Sequence, residues 1–344
     1  MRDLHDLMAQ ARSPLRIDFV GMTDYVPACR KFGGAIINAT INKYIYATAA
    51  LRDDGRILLH APDQDDLRVE VEGHEKLDPH GELGLAQEII RRFDLGGKGL
   101  ELTTYSEMPA GAGLGSSSTI ATSIIAVMDA LCGRELSNYE MADMARDSET
   151  VALNTTYGWQ DQYAPVTGGG VKYMKYWPAD SCRGIEVDHL RMSPSDIAQI
   201  EKSLLVCYSG ISRPAKSILD AVANGVRDDD PGVVGALRSM SDCAERLRLI
   251  LLNRRLSEIG PLIEEVWTLH KRLHPNVTND RIEALGEIAR NAGATGGRVC
   301  GAGGGGTMMF WCAPNTEHAV RKALRDADAR IFDFSIDMYG TVLW

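Results

Sequence analysis

The run from Pro109 to Ser118, Pro-Ala-Gly-Ala-Gly-Leu-Gly-Ser-Ser-Ser, constrains this chain more than any other segment. Gly111, Gly113 and Gly115 leave backbone N–H groups without side-chain cover, and an apolar helix follows through Ile124, Val127, Met128 and Leu131 to Gly133. A glycine turn feeding a helix N-terminus favours an anion, because unpaired N–H groups and the helix dipole both attract negative charge. A nucleotide phosphate is the anion expected. The run lacks the Lys of G-x-x-x-x-G-K-[ST], and it has Ser116 where a dinucleotide G-x-G-x-x-G needs its last Gly. The remaining alternative is an ordinary turn ahead of a core helix.

A chain of 344 residues is long for one core, so two domains are expected. Its net charge of −10 argues against nucleic acid or an anionic membrane surface as partner, so a phosphate site must be made locally positive. The apolar stretch Ile120 to Leu131 is too short to cross a bilayer. Early acids and the lack of an apolar leader core argue against secretion. Seven scattered cysteines with no C-x-x-C read as reduced thiols, which fits a cytoplasmic protein. His270 and His274 have no Glu between them in an H-E-x-x-H frame and read as a solvated helix end.

Strands are expected at Leu15–Val20, Ala35–Ala39, Tyr44–Ala50, Arg56–His60, Leu100–Tyr105, Val171–Tyr176 and Leu204–Tyr208. Helices are expected at Leu83–Phe93, from the capping box at Ser137 to Leu153, and at Arg213–Val226, Val233–Leu252, Ile259–Leu273 and Asp280–Ala292. Asn154–Gly170, rich in Thr, Gly and Asn, reads as loop. The C-terminal part alternates strand (Gly297–Cys300), glycine turn, strand (Thr307–Cys312), helix (Thr316–Ala327) and strands (Ile331–Ile336, Gly340–Leu343). A soft boundary falls near residues 176–195.

Phosphoryl transfer needs held phosphates, a divalent cation, an oriented nucleophile and cationic help for developing charge. Pro109, Gly111, Ala112, Gly113, Leu114, Gly115, Ser116, Ser117 and Ser118 are the candidate phosphate cradle. Ser117 and Glu149 are the candidate magnesium ligands, although Glu149 alone reads as a surface charge. Asp161, between Gln160 and Gln162, suits acceptance of a hydroxyl proton while the amides orient a substrate, or it caps a loop. Arg16 lies in an apolar strand and needs a partner, either a carboxylate or a phosphate. Thr23 and Asp24 follow at the strand exit as candidate sugar ligands, with turn formation the alternative for Asp24. Gly301–Gly306 matches G-x-G-x-x-G, but a strand follows it. Close backbone approach to a ligand or to another segment is the better account, with Gly303 and Gly304 as candidate substrate contacts.

Three elements in order, Ser13-Pro-Leu-Arg-Ile…Thr23-Asp-Tyr, Pro109-x-Gly-x-Gly-Leu-Gly-Ser-Ser-Ser and Gly301-Ala-Gly-Gly-Gly-Gly, resemble the three motifs of the GHMP kinases. Within that family the chain is most similar to D-glycero-D-manno-heptose 7-phosphate kinases, through Phe32–Ile45, Gln160–Ala164, Ser209–Arg213 and Gly293–Arg298. The resemblance implies an α+β, two-domain fold. A ribosomal-S5-like, ATP-binding N-terminal domain would span 1–185 and a ferredoxin-like C-terminal domain 186–344. It also implies ATP and Mg²⁺ as cofactors, a small-molecule sugar or sugar phosphate as partner, and Asp161 as base with Arg16 orienting it. A homodimer stays open. So do a non-catalytic ATP- and sugar-binding regulator and a kinase for a non-phosphorylated sugar. Two departures stand out. Val20-Gly21-Met22 replaces the usual Gly-Gly-Gly, and Trp159 replaces a usual Lys, which suggests less phosphate binding and more stacking on a sugar ring. Trp159 in the core is the competing placement.

Overall fold

The computed structural model describes residues 8–344 except 155–157, 180, 182 and 212–215. Two long strands, β1 (Met8–Val20) and β2 (Gly34–Arg52), are linked through the short helix α1 (Val26–Phe32). They pair antiparallel from Met8 opposite Ala50 to Val20 opposite Ile37, with register shifts after Pro14 and after Asp18. Around them an eight-stranded sheet assembles from β3 (Ile57–Ala61), β4 (Leu67–Val71), β5 (Gly99–Ser106), β6 (Val171–Tyr176), β7 (Ile185–His189) and the C-terminal β12 (Val342–Leu343). β2 is long enough to pair β6 along Gly34–Ala39 and β5 along Ile45–Arg52.

Strand alternation sets the site. Leu15, Ile17 and Phe19 enter the core shared with the C-terminal helices, so Arg16 and Asp18 turn to the opposite face. Helices α2 (Gly84–Arg91), α3 (Ser116–Cys132), α4 (Asn138–Leu153) and α5 (Gln160–Val166) accompany this sheet, and α3 packs on both β1 and β2. The expected capping box starts α4, with Ser137 N–H donating to Glu140 and Glu140 N–H to Ser137.

A second, four-stranded antiparallel sheet runs in the order β11-β8-β10-β9, from β8 (Leu204–Tyr208), β9 (Ala294–Val299), β10 (Thr307–Cys312) and β11 (Arg330–Phe332). It packs with α6 (Pro194–Ser203), α7 (Lys216–Arg227), α8 (Pro231–Leu252), α9 (Ile259–Lys271), α10 (Asp280–Asn291) and α11 (Glu317–Asp326). Leu237, Met240, Ile263, Val266, Phe310 and Trp311 share one buried core with Leu15 and Ile17 of β1. The last residues return to the first sheet, where Asp337 N–H donates to Thr40 O at 2.9 Å and Gly170 N–H to Asp337 O at 2.6 Å.

Several sequence expectations need correction. Asn154–Gly170 is not all loop, because α5 forms within it. Its Tyr163, Ala164 and Val166 are buried, and that burial outweighs the helix-breaking tendency of Pro165. The two strands expected at 35–39 and 44–50 are one strand. The expected Ile331–Ile336 and Gly340–Leu343 shrink to β11 and β12, and the expected Gly297–Cys300 begins at Ala294. α1, β4, β7 and α6 carry short or mixed patterns and had no sequence counterpart. The start of the expected Arg213–Val226 helix lies outside the described residues. Among the described residues, no helix is long and apolar enough to cross a membrane.

Candidate active site

β5 runs into the 107–115 segment, whose Gly111, Gly113 and Gly115 all adopt left-handed φ, at 73°, 76° and 79°. The first helical bond of α3 closes from Thr119 N–H to Gly115 O at 2.9 Å, so the amides of Ser116–Ser118 lie ahead of it. They form the anion-favouring turn anticipated from sequence. The two glycine runs touch through their backbones. Thr307 N–H donates to Ala112 O at 2.8 Å, and a Cβ on Gly113 would stand 3.0 Å from Cys300 O. The second run is itself pinned by Gly304 N–H to Val277 O and Gly306 N–H to Ile211 O, each 2.7 Å.

Arg16 crosses from β1 to this junction. Its Nε donates to Asp161 Oδ1 and its Nη1 to Gly113 O, both at 2.7 Å. Arg16 is 3% exposed while Asp161 is 28% exposed, so the pair joins a buried cation to a carboxylate open to the cleft. Burial opposes the Arg16 charge, but Asp161 and then Asp18 outweigh it and hold the guanidinium firmly protonated. Gly115 lies against both side chains, with Asp161 Cγ 3.4 Å from where its Cβ would be.

Glu149 of α4 is fully buried, and its Oε2 accepts from Ser118 Oγ at 2.7 Å and Gln162 Nε2 at 2.5 Å. Burial pushes this carboxyl up to about 7, opposed by hydrogen bonds from Ser118, Ser117 and Gln162. Among the described residues, Glu149 Oε1, Ser116 Oγ and Gln160 Oε1 are buried without a hydrogen-bond partner, and all three residues line the cleft. A carboxylate with an unused oxygen beside helix-start hydroxyls is a donor set that fits Mg²⁺.

Asp24 is buried, and its Oδ2 accepts from the N–H groups of Trp159 at 2.9 Å and Gln160 at 3.1 Å, so it fixes the start of α5. Burial, then Asp161, raises its carboxyl to about 6. Gly158 is required here, since a Cβ on it would lie 1.9 Å from Asp24 Oδ2.

Together these residues line a cavity of about 280 Å³ with Arg16, Asp24, Ser116–Ser118, Glu149, Gln160–Gln162, Gly301 and Gly303 on its walls. A second cavity of about 400 Å³ shares Gly111, Ser116 and Ser117 with it and is mostly apolar, with Leu59, Leu85, Leu102 and Ile120 beside His60, Asp63 and Gln64.

Some candidates fall elsewhere. Thr23 does not line the cleft; its hydroxyl donates to Ala35 O at 2.5 Å and locks the strand exit. Pro109, Ala112, Leu114 and Gly304 shape the turns from behind the cavity wall. Ser118 and Gln162 reach the wall; the Ser118 hydroxyl and the Gln162 amide nitrogen are engaged with Glu149, while Gln162 Oε1 is buried there without a hydrogen-bond partner among the described residues. Trp159 is half-buried against the edge of a small apolar cluster and does not line the cleft, packing edge-on to Tyr163 and tilted against Tyr176, with the Arg146 guanidinium 3.8 Å over its ring. Asp18 and Leu219 carry no motif and are left unmarked by the sequence analysis. The available signal for Asp18 was a carboxylate between Ile17 and Phe19 in an apolar strand.

The profile of the GHMP kinases N terminal domain matches residues 83–169, and that of the GHMP kinases C terminal matches 246–330. The chain is 30% identical over 340 residues to D-glycero-alpha-D-manno-heptose 7-phosphate kinase of Campylobacter jejuni subsp. jejuni serotype O:2, covering 97% of this chain and 98% of the relative. Its fold superposes on a D-glycero-D-manno-heptose 1-phosphate kinase from Bacteriodes thetaiotaomicron with a TM-score of 0.78, at 26% identity and 98% coverage of each chain. Lactococcus lactis galactokinase complexed with galactose shares the fold, with a TM-score of 0.76 at 20% identity over 98% of this chain and 95% of that one.

Proposed function

We propose, from the premise that this chain belongs to the GHMP kinase family of ATP-dependent phosphotransferases, that it transfers the γ-phosphoryl group of ATP to a sugar hydroxyl. The anomeric hydroxyl of D-glycero-D-manno-heptose 7-phosphate, or of a related sugar, is the acceptor this reading favours. The name of the Campylobacter relative supports it. The observation that carries it is the Arg16–Asp161 contact at 2.7 Å, set where the two glycine runs meet.

In this reading the amides at the start of α3 hold the phosphates, and the adjoining apolar cavity takes the adenine. Asp161 receives the acceptor hydroxyl, and Arg16 fixes its carboxylate. Because phosphoryl transition states are loose, Asp161 mainly aligns the hydroxyl and takes the proton late. Ser117 and Glu149 would hold Mg²⁺, which when bound neutralises phosphate charge. The ATP-binding half, 1–185, and the C-terminal half, 186–344, both contribute to the cleft, the second through Leu219, Cys300–Gly303 and Gly305. A cytoplasmic setting is part of the same reading.

The test is ADP release with Mg-ATP against hexoses, heptoses and their terminal phosphates, with Asp161→Asn as control. Sugar-dependent turnover that is lost in the variant is expected. ATP binding without turnover of any sugar would sink the assignment.

A further inference from the structure

Met22 holds a backbone conformation that suits glycine. Its φ is +70°, in the left-handed region, which is strained for an L-residue with a side chain. Its neighbours leave the turn no freedom. A Cβ on Gly21 would come within 2.3 Å of Asp18 Oδ2, and one on Gly34 within 2.3 Å of Thr23 O. The strained residue is also 95% buried (5% exposed), yet it lines the cleft together with Tyr25 and Leu219. None of these three lines the adjoining cavity beyond the phosphate turn, which places them on the acceptor side.

We propose that Met22, with Tyr25 and Leu219, forms the specificity-determining wall of the acceptor site. It selects a neutral sugar that presents C–H or methyl groups to this wall over one carrying a terminal phosphate there. A thioether, an aliphatic chain and an aromatic ring gain from covering C–H surface and lose from desolvating a dianion. The Asp24 carboxylate stands in the same wall, and its charge adds repulsion toward phosphate. The inference rests on the sugar-kinase reading and, within it, decides for a related sugar without a terminal phosphate and against the heptose 7-phosphate.

The test measures kcat/KM for matched pairs, each a neutral sugar and its terminal phosphate, in the unmodified enzyme, Met22→Gly and Leu219→Ala. The unmodified enzyme should favour the neutral member. Met22→Gly relieves the strained φ and opens the wall. It should move the ratio toward the phosphorylated or longer sugar by roughly tenfold or more, with Leu219→Ala shifting it the same way. Preference of the unmodified enzyme for the phosphorylated member overturns the proposal and leaves the kinase reading standing. A ratio unmoved in folded Met22→Gly also overturns it. Should that variant fail to fold, the ratio in Leu219→Ala decides by the same criterion. Turnover of no sugar at all is the separate result that removes the sugar-kinase reading and this inference with it.

Discussion

Arg298 and Asp18 form a fully buried ion pair that ties the strand before the second glycine run to the strand bearing Arg16. Arg298 Nη1 donates to Asp18 O at 2.7 Å and lies 2.9 Å from Asp18 Oδ2, with both side chains wholly inaccessible. Asp18 Oδ1 meanwhile accepts from Gly301 N–H at 2.9 Å. The same carboxylate therefore holds both a guanidinium and the entrance to the glycine run, and it stands 3.8 Å from Arg16.

Removing one member should cost far more than removing both. Arg298→Met takes the nearest cation from the buried Asp18 carboxylate and leaves it only the longer pairing with Arg16, and a loss toward the lower end of about 3–5 kcal/mol in unfolding free energy is expected. Adding Asp18→Asn restores neutrality and keeps an acceptor for Gly301, so the double variant should recover part of that loss. Urea unfolding of the four proteins in a double-mutant cycle measures the coupling. Additive losses would show that the pair is not coupled.

Gly158→Ala tests how strictly Asp24 places the base. The added Cβ would overlap Asp24 Oδ2 at 1.9 Å, forcing the start of α5 away and carrying Asp161 off its position. Misplacement on this scale should lower kcat by roughly 10²-fold, with a smaller change in the KM for ATP. Steady-state kinetics separates the two. Unchanged kcat in the folded variant would mean that Asp24 does not set the geometry of Asp161.

The pH dependence of stability follows from Asp24. Its carboxyl is raised to about 6 in the folded protein from an ordinary 3.8, so the folded state binds the proton more tightly than the unfolded chain. The native state therefore loses stability as pH rises from about 4 through 6, by up to roughly 3 kcal/mol. Asp24→Asn retains an acceptor for Trp159 and Gln160 without the charge. It should melt higher than the parent at pH 7.5, with the difference closing below pH 4. A constant difference from pH 4 to 8 would place the titrating group elsewhere.

The legible parts of this molecule are those whose physics is local. A glycine run before an apolar helix declares its anion turn, and Ser137 with Glu140 declares a cap. Arg16 in an apolar strand declares the need for a partner, which proved to be Asp161. Long-range relationships left weaker traces. Nothing near Asp18 points to Arg298, 280 positions away, and only the interruption of an apolar strand hinted at it. α5 is hidden because Pro165 and its polar flanks mask five buried positions in a row, Gln162 to Val166. An amide beside Asp161 suits a sugar, which is why Gln162 reads as a ligand from sequence; its Nε2 binds Glu149, a contact the sequence does not announce, and its Oε1 stays unpartnered in the cleft wall.

Trp159 supplies the last prediction. Its ring is wedged between the Arg146 guanidinium and the Tyr163 and Tyr176 rings, and it is absent from the cleft wall. Trp159→Leu should therefore act on stability, costing roughly 2–4 kcal/mol through lost packing and the lost cation–π contact. The KM for the sugar should change by less than about threefold at a temperature where the variant stays folded, because a residue outside the wall makes no direct binding contribution. Thermal unfolding and acceptor titration in parallel distinguish the two roles. A large rise in sugar KM with little change in Tm would return the indole to the acceptor site, and Trp159 would then join Met22 in setting which sugar enters.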